Sequence, residues 1–147
     1  MTLDEAKQLR AGRRLVFTNG VFDVLHIGHV RYLQQARQLG DLLLVGVNSD
    51  ESVRSLKGPT RPINPAGERI AMLEALRVVD GAVEFGEATP VEIIRALMPE
   101  VHVKGGDYEA NEMPETPVVQ AYGGQVVILP LVPNRSTSRL LKLLGEE

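Results

Sequence analysis

The chain has 147 residues, 44% of them hydrophobic, a formal net charge of −3 and no cysteine. A chain of that size can build one hydrophobic core and is read as a single domain over residues 1–147; the acidic balance excludes nucleic-acid binding through a broad basic face, and the missing cysteines exclude disulfides and thiol chemistry. No apolar run is long enough to cross a bilayer and Met1 to Arg14 lacks the apolar core of a signal peptide, so neither a membrane role nor export is expected and the location is read as cytoplasmic.

Thr2 and Glu5 have the spacing of a capping box and predict a first short helix. Leu15 to Thr18 reads as a strand. From Val30 the apolar positions switch to helical period, with Leu33, Ala36 and Leu39 before a stop at Gly40, so a helix is expected from about His29. Leu42 to Val47 is a continuous apolar run, a second strand. Ser49 opens a short helix to Leu56, and Gly58 to Pro65 reads as a flexible Pro/Gly-rich loop with Lys57 and Arg61 on it, suited to folding over a bound ligand. Asn64-Pro65 starts another helix whose apolar face is Ile70, Leu73, Ala75 and Leu76. Ala82 to Phe85 is a short strand, and Thr89-Pro90-Val91-Glu92 repeats the cap-plus-glutamate pattern. Val101 to Lys104 is a strand, a helix ends near Gly123, Gln125 to Leu129 is the last strand, and a final helix runs from about Thr137 to Leu144. Strands separated by helices predict an α/β fold: a Rossmann-like, doubly wound parallel sheet of about five strands with helices on both faces. In such a sheet the segments after Thr18, Val47, Lys104 and Leu129 all emerge on one edge, where ligands bind.

The segment Thr18-Asn19-Gly20-Val21-Phe22-Asp23-Val24-Leu25-His26-Ile27-Gly28-His29 lies between a strand and a helix and holds two of the three histidines. The first N–H groups of a helix have no intrahelical partner and, with the positive end of the dipole, favour an anion. Gly28 lets a ligand approach the backbone, and two imidazoles three residues apart can donate to one phosphate group. Zinc bound by both histidines and Asp23 is the competing reading, weakened by the lack of cysteine or a third histidine nearby. His102, standing alone, reads as structural. Arg69 sits in the first turns of a helix, where the dipole disfavours a cation, which hints at a use other than helix stability. Ser136-Thr137-Ser138 can cap the last helix, hold phosphate oxygens, or do both. Lys104-Gly105-Gly106-Asp107-Tyr108 is a strand end followed by a tight glycine turn. A Walker-type loop and a spaced dinucleotide-binding glycine fingerprint are both absent.

Gly20-Val21-Phe22-Asp23 followed by His26-Ile27-Gly28-His29 resembles the signature of the cytidylyltransferase-like nucleotidyltransferase superfamily. The likeness runs on through Val47-Asn48-Ser49-Asp50, Leu56-Lys57-Gly58, Arg61-Pro62-Ile63-Asn64-Pro65, Glu68-Arg69, the Lys104 to Tyr108 turn and Ser136-Thr137-Ser138, in the family's order. Within the superfamily the set looks most like the adenylyltransferase half of bifunctional heptose kinase/adenylyltransferases. Family members more often show Ser-Thr-Thr, so Ser138 is a conservative departure.

The resemblance implies transfer of AMP from ATP to a sugar 1-phosphate, D-glycero-β-D-manno-heptose 1-phosphate by this likeness, giving an ADP-sugar and pyrophosphate. It assigns catalysis to His26, His29, Lys57 and Arg69. Nucleotide binding falls to Thr18, Asn19, Gly20, Val21, Phe22, Asp23, Gly28, Lys104, Gly105, Gly106, Asp107, Ser136, Thr137 and Ser138. Mg²⁺ would travel on the triphosphate with few protein ligands. A separate sugar kinase upstream and a homodimer are further expectations. Asp23 could orient a histidine, approach the metal or shape the turn. A cytidylyltransferase acting on glycerol 3-phosphate, or a non-catalytic nucleotide-binding module, would carry many of the same loops.

Overall fold

In a computed structural model of the chain, residues 1–106, 109–130 and 136–145 are described. Asp107 and Tyr108, singled out above, lie outside them. Five parallel strands, β1 (Leu15–Gly20), β2 (Leu42–Asn48), β3 (Gly81–Phe85), β4 (Val101–Gly105) and β5 (Gln125–Leu129), form one sheet in the order β3-β2-β1-β4-β5. The order reverses between β1 and β4, and this switch point fixes where a ligand can enter. β2 is buried along its whole length, which is why it reads as an uninterrupted apolar run.

Helices cover both faces. α2 (Ile27–Arg37) and α4 (Ala66–Glu74) pack Leu33, Ala36 and Leu73 on Val16, Leu43, Val45 and Val103. On the opposite face, α1 (Leu3–Arg10), α5 (Val91–Leu97) and α6 (Thr116–Ala121) set Ala6, Ile94, Leu97 and Val119 against Leu15, Phe17, Leu42 and Leu44. Alternate residues of β1 thus feed the two cores, as the pleat requires. α3 (Asp50–Lys57) and α7 (Thr137–Leu143) complete the helices of the described chain, with a short 3₁₀ turn at Ala110–Glu112 that the sequence pattern does not disclose.

Local signals were realised unevenly. The Thr2/Glu5 capping box forms, each side chain bonding the other's backbone N–H at 2.9 and 3.1 Å. The Thr89 pattern does not: Pro90 occupies the cap position of α5 without a side-chain bond, and Glu92 instead pairs with Arg95 at 2.7 Å. Asn64 does not cap α4 either. Its side-chain amide donates to the Asp23 carbonyl at 2.8 Å, while Asp50 Oδ1 accepts the Ala66 N–H at 2.8 Å in its place.

Candidate functional site

A cavity of about 710 Å³ opens at the carboxyl edge of the sheet. Among the described residues its wall takes Asn19 to Asp23 and His26 at and after the end of β1, Asn48 at the end of β2, Ala88 to Pro90 after β3, and Lys104 and Gly105 at the end of β4. Gly28, His29, Tyr32, Leu56, Lys57, Arg61, Pro114, Glu115 and Ser136 to Ser138 complete the described lining.

The two histidines form the entry to α2. His26 is its N-cap, and the helix starts two residues earlier than the apolar period indicates. His26 Nδ1 accepts the Gly28 N–H at 3.1 Å, and His29 Nδ1 accepts the His26 N–H at 3.2 Å. An imidazole whose Nδ1 accepts a hydrogen bond is neutral and carries its proton on Nε2. The rings lie 3.9 Å apart, centroid to centroid, so two Nε2–H donors stand side by side on the cavity wall. Burial, and secondarily the neighbouring His26, pushes the His29 pKa down to about 4, which keeps its ring neutral at pH 7. Phe22, held at φ 51° in the left-handed region, places its ring 5.4 Å from that of His29. That conformation costs energy in a non-glycine residue and is held here by a buried ring.

Asp23 is directed away from this pair. It is 1% exposed, and its carboxylate accepts from Arg61 Nε at 3.0 Å and from the Ile63 and Asn64 N–H groups at 2.7 and 2.8 Å. Of the three roles open to it, the geometry selects the structural one: it fastens the segment 58–65 to the turn after β1. With Nδ1 of both histidines committed to backbone amides, the zinc reading loses its ligand set, and no group of three metal-binding side chains occurs among the described residues.

Arg69 is not brought to the cavity. It is fully buried and donates to the Asn64 carbonyl at 2.9 Å, the Val21 carbonyl at 2.8 Å and Asp50 Oδ1 at 2.7 Å. Its unfavourable place in the first turns of α4 is explained by this bracing of the cavity floor. Thr18 is also fully buried; Tyr32 gives its phenolic proton to the Val103 carbonyl at 3.1 Å and so accepts from the Thr18 hydroxyl at 2.6 Å. Gly106 lies behind the wall at φ 102°, bonding Leu129 through its N–H at 3.0 Å. Lys57 is the last residue of α3, exposed and on the wall. Arg61, expected beside it on a loose loop, is 5% exposed and ion-paired with Asp23.

Ser136 caps α7 by accepting the Arg139 N–H at 3.0 Å, and Thr137 donates to the Val24 carbonyl at 2.8 Å, which ties α7 to the segment leading into α2. Lys104 Nζ reaches Asn19 Oδ1 at 3.4 Å across the switch point. Burial lowers the Lys104 pKa, and the Glu115 carboxylate opposes that shift. The sequence offered no signal for Tyr32 or Glu115, because each sits in a segment whose pattern is only helical; their place on the wall comes from the fold.

Five parallel strands in this order, with a paired-histidine turn at the switch point, define a Rossmann-type nucleotidyltransferase fold. Residues 17–130 match the model of the cytidylyltransferase-like family. A D-beta-D-heptose 1-phosphate adenylyltransferase of Bordetella bronchiseptica is 54% identical over 133 residues, 90% of this chain and 82% of that protein. The bifunctional protein HldE of Pseudomonas syringae is 49% identical over 147 residues, 99% of this chain but 31% of HldE. The chain therefore spans about a third of the length of such bifunctional relatives. Among solved structures, a lipopolysaccharide core biosynthesis protein from Thermoplasma volcanium aligns with a TM-score of 0.69 and 30% identity, covering 82% of this chain and 98% of that one. Pantothenate synthetase from Thermus thermophilus, at 14% identity and TM-score 0.65, shares the fold, over 89% of this chain and 60% of its own. The chain belongs to the cytidylyltransferase-like family.

Proposed function

We propose that the chain is an adenylyltransferase that joins ATP to D-glycero-β-D-manno-heptose 1-phosphate, releasing pyrophosphate and forming ADP-heptose. The observation that carries the reaction class is the pair of neighbouring imidazoles on the cavity wall, each with Nδ1 committed to a backbone amide and its proton therefore on Nε2. The heptose assignment is supported by the Bordetella relative's name and its 54% identity.

A phosphate oxygen of the sugar 1-phosphate attacks the α-phosphorus of ATP; that P–O bond forms as the bond to the β-phosphate oxygen breaks, and pyrophosphate leaves. No side chain serves as nucleophile. His26 and His29 donate to the phosphate oxygens as charge shifts onto the leaving group, and being neutral and pre-positioned they need not reorganise. Lys57 supplies a positive charge at the rim, and the Ser136 and Ser138 hydroxyls add donors, while the Thr137 proton stays on the Val24 carbonyl. Asn19 to Phe22, Gly28 and Gly105 form the surface on which the nucleotide lies, and Thr18, Asp23 and Arg69 act behind it by holding Tyr32, the 58–65 segment and the Val21 carbonyl. The cavity's donor-rich phosphate end fits a Mg²⁺ carried on the triphosphate rather than one caged by protein carboxylates, since Asp23 is fully engaged. Such an ion would offset the charge of the triphosphate. The phosphorylated sugar would come from a separate kinase.

Pyrophosphate release measured with ATP or CTP against heptose 1-phosphate, glycerol 3-phosphate and phosphocholine tests this reading. Release confined to ATP with the heptose phosphate is expected. Release with another pair would keep the chemistry and replace the substrate, and no release from any pair would favour a non-catalytic nucleotide-binding module.

A further inference from the structure

A carboxylate on the cavity wall has no part in the chemistry above. Glu115, the N-cap of α6, is 3% exposed and lines the cavity at the end of β4. Apart from its own amide, its carboxylate takes no hydrogen bond from any described residue. Burial pushes its pKa up and the Lys104 ammonium pulls it back. Behind it stands His102, fully buried and stacked on Phe17 at 5.9 Å, with Nε2 4.0 Å from Glu115 Oε1 and neither ring nitrogen hydrogen-bonded. Burial holds that imidazole neutral, with its pKa down to about 3, so it offers Glu115 no ion pair. A buried carboxylate with so few donors is costly unless something else supplies one.

A carboxylate repels phosphates. The triphosphate therefore belongs with the donors, at the histidines and the Ser136 and Ser138 hydroxyls, which leaves Glu115 to the uncharged part of a bound nucleotide. Beside it, Lys104 provides a donor. An acceptor next to a donor complements a base edge that carries an exocyclic amino group next to a ring-nitrogen acceptor, as adenine and cytosine do. A 6-oxo purine reverses both positions, setting a carbonyl oxygen against the carboxylate and a ring N–H against the ammonium.

We propose that Glu115 and Lys104 read the base: the Glu115 carboxylate accepts from the exocyclic amino group, and the Lys104 ammonium donates to the adjacent ring nitrogen. The site thereby rejects 6-oxo purines. This assignment rests on the nucleotide reading of the cavity but not on the identity of the acceptor.

The test is equilibrium binding of ATP and inosine triphosphate to the full chain, with magnesium and without acceptor, by titration calorimetry. The wild-type chain is expected to bind ATP at least about tenfold more tightly than the inosine nucleotide, a modest result for a buried polar mismatch. Glu115→Gln, whose amide can turn either its oxygen or its NH₂ to the base, is expected to narrow the difference to less than about threefold, and Glu115→Ala to do the same. Thermal melts of both variants report whether they remain folded. Equal affinity of the wild type for the two nucleotides, or full discrimination in both variants, would overturn the proposal while leaving nucleotide binding intact. Failure of the wild type to bind either nucleotide would overturn the reading on which it rests.

Discussion

His29 combines a cavity position, a neutral ring and a fixed tautomer. Each follows from a separate cause: the glycine-bearing turn, burial, and the bond from the His26 N–H. Replacing His29 by alanine removes one pre-positioned donor and is expected to lower kcat by about a hundredfold, or about 3 kcal/mol of transition-state stabilisation, with a smaller change in KM for ATP. Steady-state kinetics decide it; a turnover near the wild-type value would exclude His29 from the chemistry. The histidine pair was legible because its spacing and glycine are local. Asp23 and Arg69 were recognisable as unusual but not in their roles, since each has a partner far along the chain, Arg61 at 38 residues from Asp23 and Val21 at 48 from Arg69.

The 58–65 segment illustrates what an element's composition leaves undetermined. Its Pro and Gly content reads as a loose loop able to fold over a ligand. Instead, the Asp23 carboxylate takes three donors from it, and Arg69 holds the Asn64 carbonyl. The segment is anchored at its base, and Lys57 at the end of α3 is exposed on the cavity wall. Arg69→Lys keeps the charge but cannot serve three directions at once, so it leaves buried carbonyls without donors. A loss of about 3 kcal/mol of stability in urea unfolding is expected, the scale for leaving buried carbonyls without donors. An unchanged unfolding midpoint would mean that the bracing contributes nothing.

For the whole molecule, one buried and one half-buried histidine couple stability to pH. Their folded pKa values, about 4 for His29 and about 3 for His102, lie below the ordinary 6.5. Between those values the unfolded chain binds more protons than the folded one, so stability rises with pH. The contribution is complete above about pH 6.5 and is lost as pH falls toward 4 and then 3. His102→Leu substitutes an apolar group of similar size for a ring whose nitrogens are unsatisfied. It is expected to leave the melting temperature at pH 7.5 unchanged or higher, and to raise it at pH 5 relative to wild type. Parallel thermal melts at the two pH values check this, and an equal shift at both would show that His102 does not titrate on unfolding.

The amino-acid sequence by itself determined the alternation of strands and helices, the parallel sheet, and the paired-histidine turn, because periodicity, capping chemistry and glycine placement act within a few residues of one another. Tertiary structure alone decided which polar groups face the cavity. The strand order β3-β2-β1-β4-β5 brings Ala88 to Pro90 and Glu115 to the same opening as His26, yet turns Arg69 and Thr18 inward. A charged side chain in the first turns of a helix can serve a ligand or brace a backbone, and only the partners that packing supplies distinguish the two.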